Sequence, residues 1–331
     1  MSISAILKCI TVNAEILKKN KLRNKKLLLS IQRRQMARQV KLDNRQLINH
    51  LSDKGVTFHK TTKGQAITFL DKNNYYYKLS AFRKNFKKVG DKYVNLDFGH
   101  LQDLAALDMK LRNILLGIAI NVEHFIKVEL SRQINNNTKE DGYSIIADFK
   151  NSEYGSYYEF TRSKFKNSRY QGDMYEKRKH DYPYWALLEH MDYGCLMKFV
   201  IFYYEKYEPK SLKKAYELGD NARHIRNACA HNSVFILNVF KDDNKLPNVT
   251  ATVSTLAKQT NTLKYKNYKK VNDLLSLFSL ARTYCSQPVR DYQKQFIKEF
   301  VVRARRNEED YRRNVELTKM MVIFERIVDI L

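Results

Sequence analysis

Residues 101–126 read LQDLAALDMKLRNILLGIAINVEHFI. Leu101, Leu104, Leu107, Leu111, Ile114, Leu115, Ile118, Val122, Phe125 and Ile126 recur every three or four residues, which lines one side of a helix. The pattern holds from about residue 100 to 134, with Glu123, His124, Lys127 and Arg132 on its second half. A helix of about 35 residues spans roughly 50 Å. It is a spine on which other helices pack, or two consecutive helices with a break near Gly117. With 4 prolines and 10 glycines in 331 residues, long uninterrupted helices are favoured over tight hairpins. The expected fold class is all-α.

Upstream of the spine, Phe86 to Asp97 is basic, polar and turn-rich, and is the best domain boundary. It separates a helical N-terminal subdomain, residues 41–95, from a helical domain, residues 96–331. In the subdomain Asp43 can cap a helix over Asn44–Lys54, with Gln46 in the reciprocal position and Gly55 as the stop. A second short helix covers Gly64–Asn73. Leu70, Tyr76, Leu79 and Phe82 keep helical spacing, so the tyrosines of NNYYYKLSAF (73–82) read as packing residues. Residues 1–40 form a basic helical extension, in which Lys18, Lys19, Lys21, Arg23, Lys25, Lys26, Arg33, Arg34 and Arg38 stand against the single acid Glu15. Such a segment either tracks a phosphate backbone or is a solvated helix docked by its leucines. A membrane-surface helix fits less well, because Trp and Phe are missing from its apolar side.

Downstream, residues 135–182 read as a polar connection in which Tyr143, Tyr154, Tyr157, Tyr158, Tyr170, Tyr175 and Tyr182 alternate with Arg162, Lys164, Lys166, Arg169, Lys177, Arg178 and Lys179. Aromatics among cations can stack bases and hold phosphates, and they also occur on ordinary surface segments. Pro183 then opens one helix through residue 207, with Trp185, Leu188, Met191, Leu196, Phe199 and Phe202 as core side chains. A short helix over Lys210–Leu218 stops at Gly219. Thr250–Leu256 alternates enough for a short strand, which leaves room for one strand pair near 240–256. Amphipathic helices follow at Tyr268–Tyr284, Val289–Arg306 and Asn307–Leu331.

Composition narrows the partner. Lys and Arg number 60 against 35 Asp and Glu, a net charge of +25, which favours a polyanion: nucleic acid first, an anionic membrane surface second. No run approaches the roughly 18 apolar residues of a membrane span. Cys9, Cys195, Cys229 and Cys285 lie far apart with no paired spacing, so no zinc or disulfide framework is expected. A cytoplasmic protein with no metal and no cofactor is the expectation.

Residues 220–235, DNARHIRNACAHNSVF, carry the chemistry. Wound as a helix capped by Asp220, they place Ala222, Ile225, Ala228 and Cys229 on a core arc. Arg223, Arg226, Asn227, Ala230 and His231 fall on the other arc. An imidazole beside guanidinium groups suits chemistry on a phosphodiester. The plainer reading pairs the arginine with an acid such as Glu123 or Glu189 and leaves the histidine filling a boundary position. The spacing alone is not distinctive, since Arg45 and His50 repeat it.

From about Lys41 to Asn238 the chain resembles the Abi-like abortive-infection proteins of bacteria, the AbiD/AbiF group. The resemblance rests on the Leu-to-Gly helix end at 51–55, YYKLSAF at 76–82 and the LxxLxxLDxKLR helix at 101–112. Pro-x-Trp at 183–185 with Glu189 and Gly194, and RNACAH at 226–231, complete it. Ala81 and Phe82 stand where relatives often read Gly-Tyr. The resemblance implies a HEPN-superfamily helical bundle, whose ribonucleases carry an Arg-x4–6-His motif that maps onto Arg226 and His231. It implies a metal-independent endoribonuclease of phage defence, toxin-like and held by an RNA partner. His231 would then act as acid and base, Arg226 would hold the phosphate and Asn227 would orient. Arg223 and His224 would serve in binding, along with the cations of residues 1–40 and 135–182. It also implies a homodimer whose two motifs share one cleft. The alternative is a non-catalytic binding protein for a structured noncoding RNA. A DNA-binding regulator using residues 1–40 is less supported, because no helix-turn-helix is recognisable.

Overall fold

The spine is one helix. In the computed structural model, which describes residues 40–312 and 314–331, a single helix runs Phe98–Asn135, unbroken at Gly117. Among the described residues the fold is all-α, with fifteen α-helices and one two-stranded hairpin. The chain divides after His50, and Leu51–Leu331 forms one compact unit. The expectations placed on Lys18, Lys19, Lys21, Arg23, Lys25, Lys26, Arg33 and Arg34 fall outside the described residues.

Helix α1 (Asn44–Asp53) starts as its sequence predicts: Gln46 N–H donates to Asp43 Oδ1 at 2.8 Å and Asp43 N–H to Gln46 Oε1 at 2.9 Å. Gly55 then takes φ +85°, which glycine adopts without a Cβ penalty. Helix α2 (Lys63–Lys72) and short α3 (Tyr76–Ala81) follow. Leu79 and Phe82 are fully buried, but Tyr75 and Tyr77 are exposed, so these two tyrosines do not pack as expected. The stretch expected as a domain boundary, 86–97, holds the only hairpin among the described residues, β1 (Lys88–Val89) with β2 (Lys92–Tyr93), turned at Gly90 with φ +57°.

The spine is helix α4, and its start is held by Asp97. The carboxylate accepts from Gly99 N–H at 2.9 Å, Thr57 Oγ1 at 2.8 Å and His59 N–H at 2.8 Å. Burial works to raise this carboxyl, yet those donors outweigh it and hold it below the ordinary range. One face of α4 buries Leu101, Leu104, Leu107, Leu111, Leu115, Ile118, Val122 and Ile126.

Residues 135–182 fold into helices rather than a polar connection. They are α5 (Ser144–Asn151), α6 (Gly155–Lys166) and α7 (Gly172–Arg178). Tyr158, Tyr175 and Tyr182 are buried with Phe149 and Phe165, while Tyr170 is exposed. The helix expected after Pro183 is two helices, α8 (Tyr184–His190) and α9 (Tyr193–Tyr207). Met191 turns extended between them, and Asp192 caps α9 through Cys195 N–H at 2.9 Å. Trp185 is exposed rather than in the core.

Helix α10 runs Lys213–Ala230, straight through the expected stop at Gly219. A Cβ at Gly219 would lie 2.0 Å from Met197 Sδ, so this glycine lets α10 approach α9 and ends nothing. The strand expected at 250–256 is helix α11 (Ala251–Gln259), capped by Thr250, with Val253, Leu256 and Ala257 buried at helical spacing. Helices α12 (Lys269–Tyr284), α13 (Gln287–Arg305), α14 (Glu308–Tyr311) and α15 (Val315–Val328) complete the bundle. Helix α10 packs on α12, α4 and α9, and α4 also carries α12 and α13. Asn221 of α10 donates to both Asn272 and Ser276 of α12 at 3.0 Å.

The two glycines predict opposite signs. At Gly117 a Cβ would meet only the Gln293 amide at 3.5 Å, an ordinary contact. Gly117→Ala should therefore gain about 0.5–1 kcal/mol through helix propensity. Gly219→Ala must displace the buried Met197 and should lose about 1–3 kcal/mol. Urea denaturation of both variants measures this contrast.

Candidate active site

Arg226, Asn227 and His231 occupy the last turn of α10 and its cap, where α10 lies against the spine. The burial follows the two expected arcs. Ala222, Ile225 and Cys229 face the core; Ala228, expected with them, is only half-buried, like Arg223, Arg226 and Asn227; and His224, Ala230 and His231 are exposed. The competing pair, Arg45 and His50, is exposed on α1.

The arginine is engaged but not locked. Its Nη1 donates to Asn227 Oδ1 at 3.2 Å, and its Nε lies 3.9 Å from Glu123 Oε2 on the spine. That separation is an ion pair without a hydrogen bond, and Nε has no hydrogen-bond acceptor among the described residues. Glu123 also faces Lys127 at 3.5 Å, whose Nζ donates to Met191 O at 3.0 Å. Asn227 meets His231 through the backbone, where His231 N–H donates to Asn227 O at 2.9 Å, while the Asn227 side chain turns to Arg226. No hydrogen bond or ion pair of the His231 ring occurs among the described residues.

The end of α10 is fixed tightly. Ser233 N–H donates to Ala228 O at 2.9 Å and Asn232 N–H to Cys229 O at 3.1 Å, with Asn232 at φ +60°. This is a Schellman cap with asparagine in the left-handed position. Arg112 of the spine donates through Nη1 to Asn232 Oδ1 and through Nε to Asp108 Oδ2 at 2.8 Å. The other oxygen of Asp108 accepts from Phe235 N–H and Ile236 N–H, both at 2.7 Å. Lys270 of α12 donates to Phe235 O and Leu237 O at 2.7 Å. Burial pushes the Lys270 ammonium down to about 8, against the pull of Asp108 and Asp273. Asp108 and Arg112 are fixed positions of the LxxLxxLDxKLR pattern but take no role from the sequence, and Asn232 is not singled out there. A signal for the first two was present: an acid and a base four apart inside the apolar stripe.

Cations and acids alternate around Arg226. Asp220 does not cap a helix; it binds Arg223 at 2.8 Å and Lys198 at 3.5 Å. Asp192 binds Lys164 at 2.7 Å. Burial works to raise the Asp192 carboxyl, but Lys164, the Cys195 N–H and Arg226 together hold it below its ordinary range. The Lys164 ammonium also sits 4.2 Å from the ring centre of exposed Phe160. Tyr193 is fully buried, and its hydroxyl has no hydrogen-bond partner among the described residues. Burial first, then Glu123 and Asp220, push that phenol upward.

Of the other expected RNA contacts, Arg223 and Lys164 are thus part of this cluster. Arg162 lies 4.0 Å from Glu159 on α6. Lys166, Arg169 and Arg178 are exposed on α6, the loop after it and α7. The described residues show no hydrogen bond or ion pair from any of these four to α10. Cys195, Cys229 and Cys285 are buried and unbridged, and burial pushes the Cys229 thiol up to about 12. Such a thiol is not a nucleophile. Among the described residues no group of three His, Cys, Asp or Glu side chains could hold a metal ion, and no helix is long and apolar enough to cross a membrane.

Fold and site together define an all-α protein whose central helix ends in an Arg–Asn–His face laid against the spine. The family model of Abi-like proteins matches residues 68–236, just over half of the 331, and the chain belongs to that family. The match begins later than the resemblance read from residue 41. Comparison with curated proteins and with solved structures finds no match.

Asp108→Ala would strand the 4%-exposed Arg112 and orphan two loop N–H groups. A loss of about 3–5 kcal/mol is expected by chemical denaturation. Asp273 predicts a pH dependence. Burial pushes its carboxyl up to about 7, partly opposed by Lys269 and Lys270. Between the ordinary carboxylate value and about 7 the folded state binds the proton more tightly, so this group makes stability fall as pH rises through that window. Asp273→Asn should remove that fall, seen as a flatter plot of melting temperature against pH from 4 to 7.

Proposed function

We propose that the protein is an abortive-infection endoribonuclease that works without a metal ion. The carrying observation is the pairing of an incompletely satisfied guanidinium, Arg226, with an exposed and unpartnered imidazole, His231, at one rigid helix end. RNA supplies its own nucleophile, the 2′-OH, so the protein need only move protons and stabilise charge on the phosphate. His231 carries an imidazole, the side chain most often used to take and return a proton in acid–base catalysis. Arg226 has one donor on Asn227 and others free for two-point contact with a phosphate. The products are a 2′,3′-cyclic phosphate and a 5′-hydroxyl.

Membership of the Abi-like family supports the abortive-infection setting. The Arg-x4-His spacing at 226–231, inside the family-matched segment as Arg45 and His50 are not, supports a HEPN-type site. Arg223, Lys164 and Lys198 offer phosphate contacts beside it, and Phe160 offers a face for an unpaired base. The end of α10 supplies a single Arg–His pair, so two chains related by a twofold axis would complete one cleft. An RNA partner would hold the enzyme silent by occupying it.

Labelled RNA incubated with the protein in chelator tests this reading. Cleavage should persist in chelator, stop when the nucleotide at the cut is 2′-deoxy, and fall roughly 10²–10⁴-fold in His231→Ala. Arg226→Ala should fall by roughly 10²–10³-fold. Tight, saturable RNA binding with no cleavage by the wild type under any condition would overturn catalysis in favour of a binding protein for structured noncoding RNA.

A further inference from the structure

The helix end that carries His231 is tied at one more point than a helix end needs. The Schellman cap already satisfies the last carbonyls of α10. Glycine would fill the left-handed position at φ +60° at lower conformational cost than asparagine. The side chain of Asn232 therefore does something the cap does not require. It accepts from Arg112, a cation only 4% exposed, which is held in turn by the fully buried Asp108. Asp108 also grips Phe235 and Ile236. The segment after His231 is thus pinned to the spine at residue 232 and again at 235–236, while the His231 ring projects without a partner of its own.

We propose that Asn232 and Arg112 are positioning residues for the His231 imidazole. The proposal rests on reading His231 as the acid–base group. An imidazole with no hydrogen bond to orient it owes its placement to its backbone, and the Arg112–Asn232 contact fixes that backbone relative to Arg226 on the same helix and Glu123 on the spine. A displacement of about 1 Å at a reacting group costs on the order of 100-fold in rate. The two anchors leave the bond-making groups untouched and act only through where His231 stands.

Asn232→Gly separates anchor from cap, because it keeps the left-handed backbone and deletes only the side-chain acceptor. Its melting temperature should stay within about 5 °C of the wild type, because the easier left-handed backbone offsets part of the lost Arg112 acceptor; its kcat for RNA cleavage should fall about tenfold or more, and its KM should stay within about twofold. Arg112→Lys keeps a charge for Asp108 but loses the forked donor. The double variant should lose no more activity than the more affected single variant, since both act through one contact. The Cε1–H NMR resonance of His231 should shift or change width in each. Wild-type kcat in Asn232→Gly, or losses that multiply in the double variant, would overturn the proposal. If the wild type cleaves no RNA, the acid–base reading fails on its own and the His231 resonance decides the positioning. A resonance unchanged in Asn232→Gly overturns it, and a changed one sustains it.

Discussion

The ion pair between Asp108 and Arg112 lies inside the apolar stripe of the spine, where a charge without a partner would cost several kcal/mol. It is tolerated because both carboxylate oxygens and two of the three guanidinium nitrogens are hydrogen-bonded. One carboxylate oxygen holds the guanidinium, the other takes two backbone N–H groups, and the remaining donor face of Arg112 reaches Asn232. Two apolar residues of similar size could hold α4 in the bundle about as firmly. They could not hold a loop. The polar pair fixes the course of residues 232–237, and so fixes how α10 ends against the spine.

Around this pair, the elements whose cause is local periodicity are legible in the sequence. The spine's apolar repeat, the Asp43–Gln46 box and the helices near 268–284 and 287–305 need only their own residues. Misreadings arise where one residue type has two uses. Gly219 looks like a stop, yet its missing Cβ serves Met197 from another helix. Thr250, Thr252 and Val253 look like a strand, yet Thr250 accepts from Val253 N–H at 3.2 Å and starts a helix. Asp192 was an available cap signal, and the apolar residues that recur on both sides of it concealed the break. In 135–182 the high density of tyrosine and lysine hid three short helices. Their apolar faces are small, and Ile145, Ile146, Phe149 and Phe165 bury them.

For the candidate site, the split of α10 into a core arc and a polar arc is written in the sequence, because it depends on one helix alone. The neighbours of that polar arc are not. Glu123 was available as a partner for Arg226 in outline, but Asp192, Lys198 and Tyr193 reach the cluster only through the packing of α9 on α10. Asn232 is harder still. Its left-handed φ follows from its place one residue beyond the helix cap, and its purpose follows from an arginine 120 residues earlier. Tertiary contacts of this kind leave no local periodicity to read.

The charge arrangement around Arg226 bears on how a phosphate would enter. Lys164, Lys198, Arg223 and Arg226 each already face a carboxylate: Asp192, Asp220 or Glu123. At a largely solvated surface such pairs are worth about 0–1 kcal/mol each, so exchanging a carboxylate for a phosphate carries little cost. The acids nevertheless keep the cations spaced and extended when no ligand is present, and they lower the local positive potential of a chain with a net charge of +25. A polyanion that engages several of these cations together gains by counterion release, whereas a single phosphate gains little. On the function proposed above, this arrangement would therefore favour a long strand over a mononucleotide. This preference is set by paired surface charges and is independent of the buried pair that fixes the helix end.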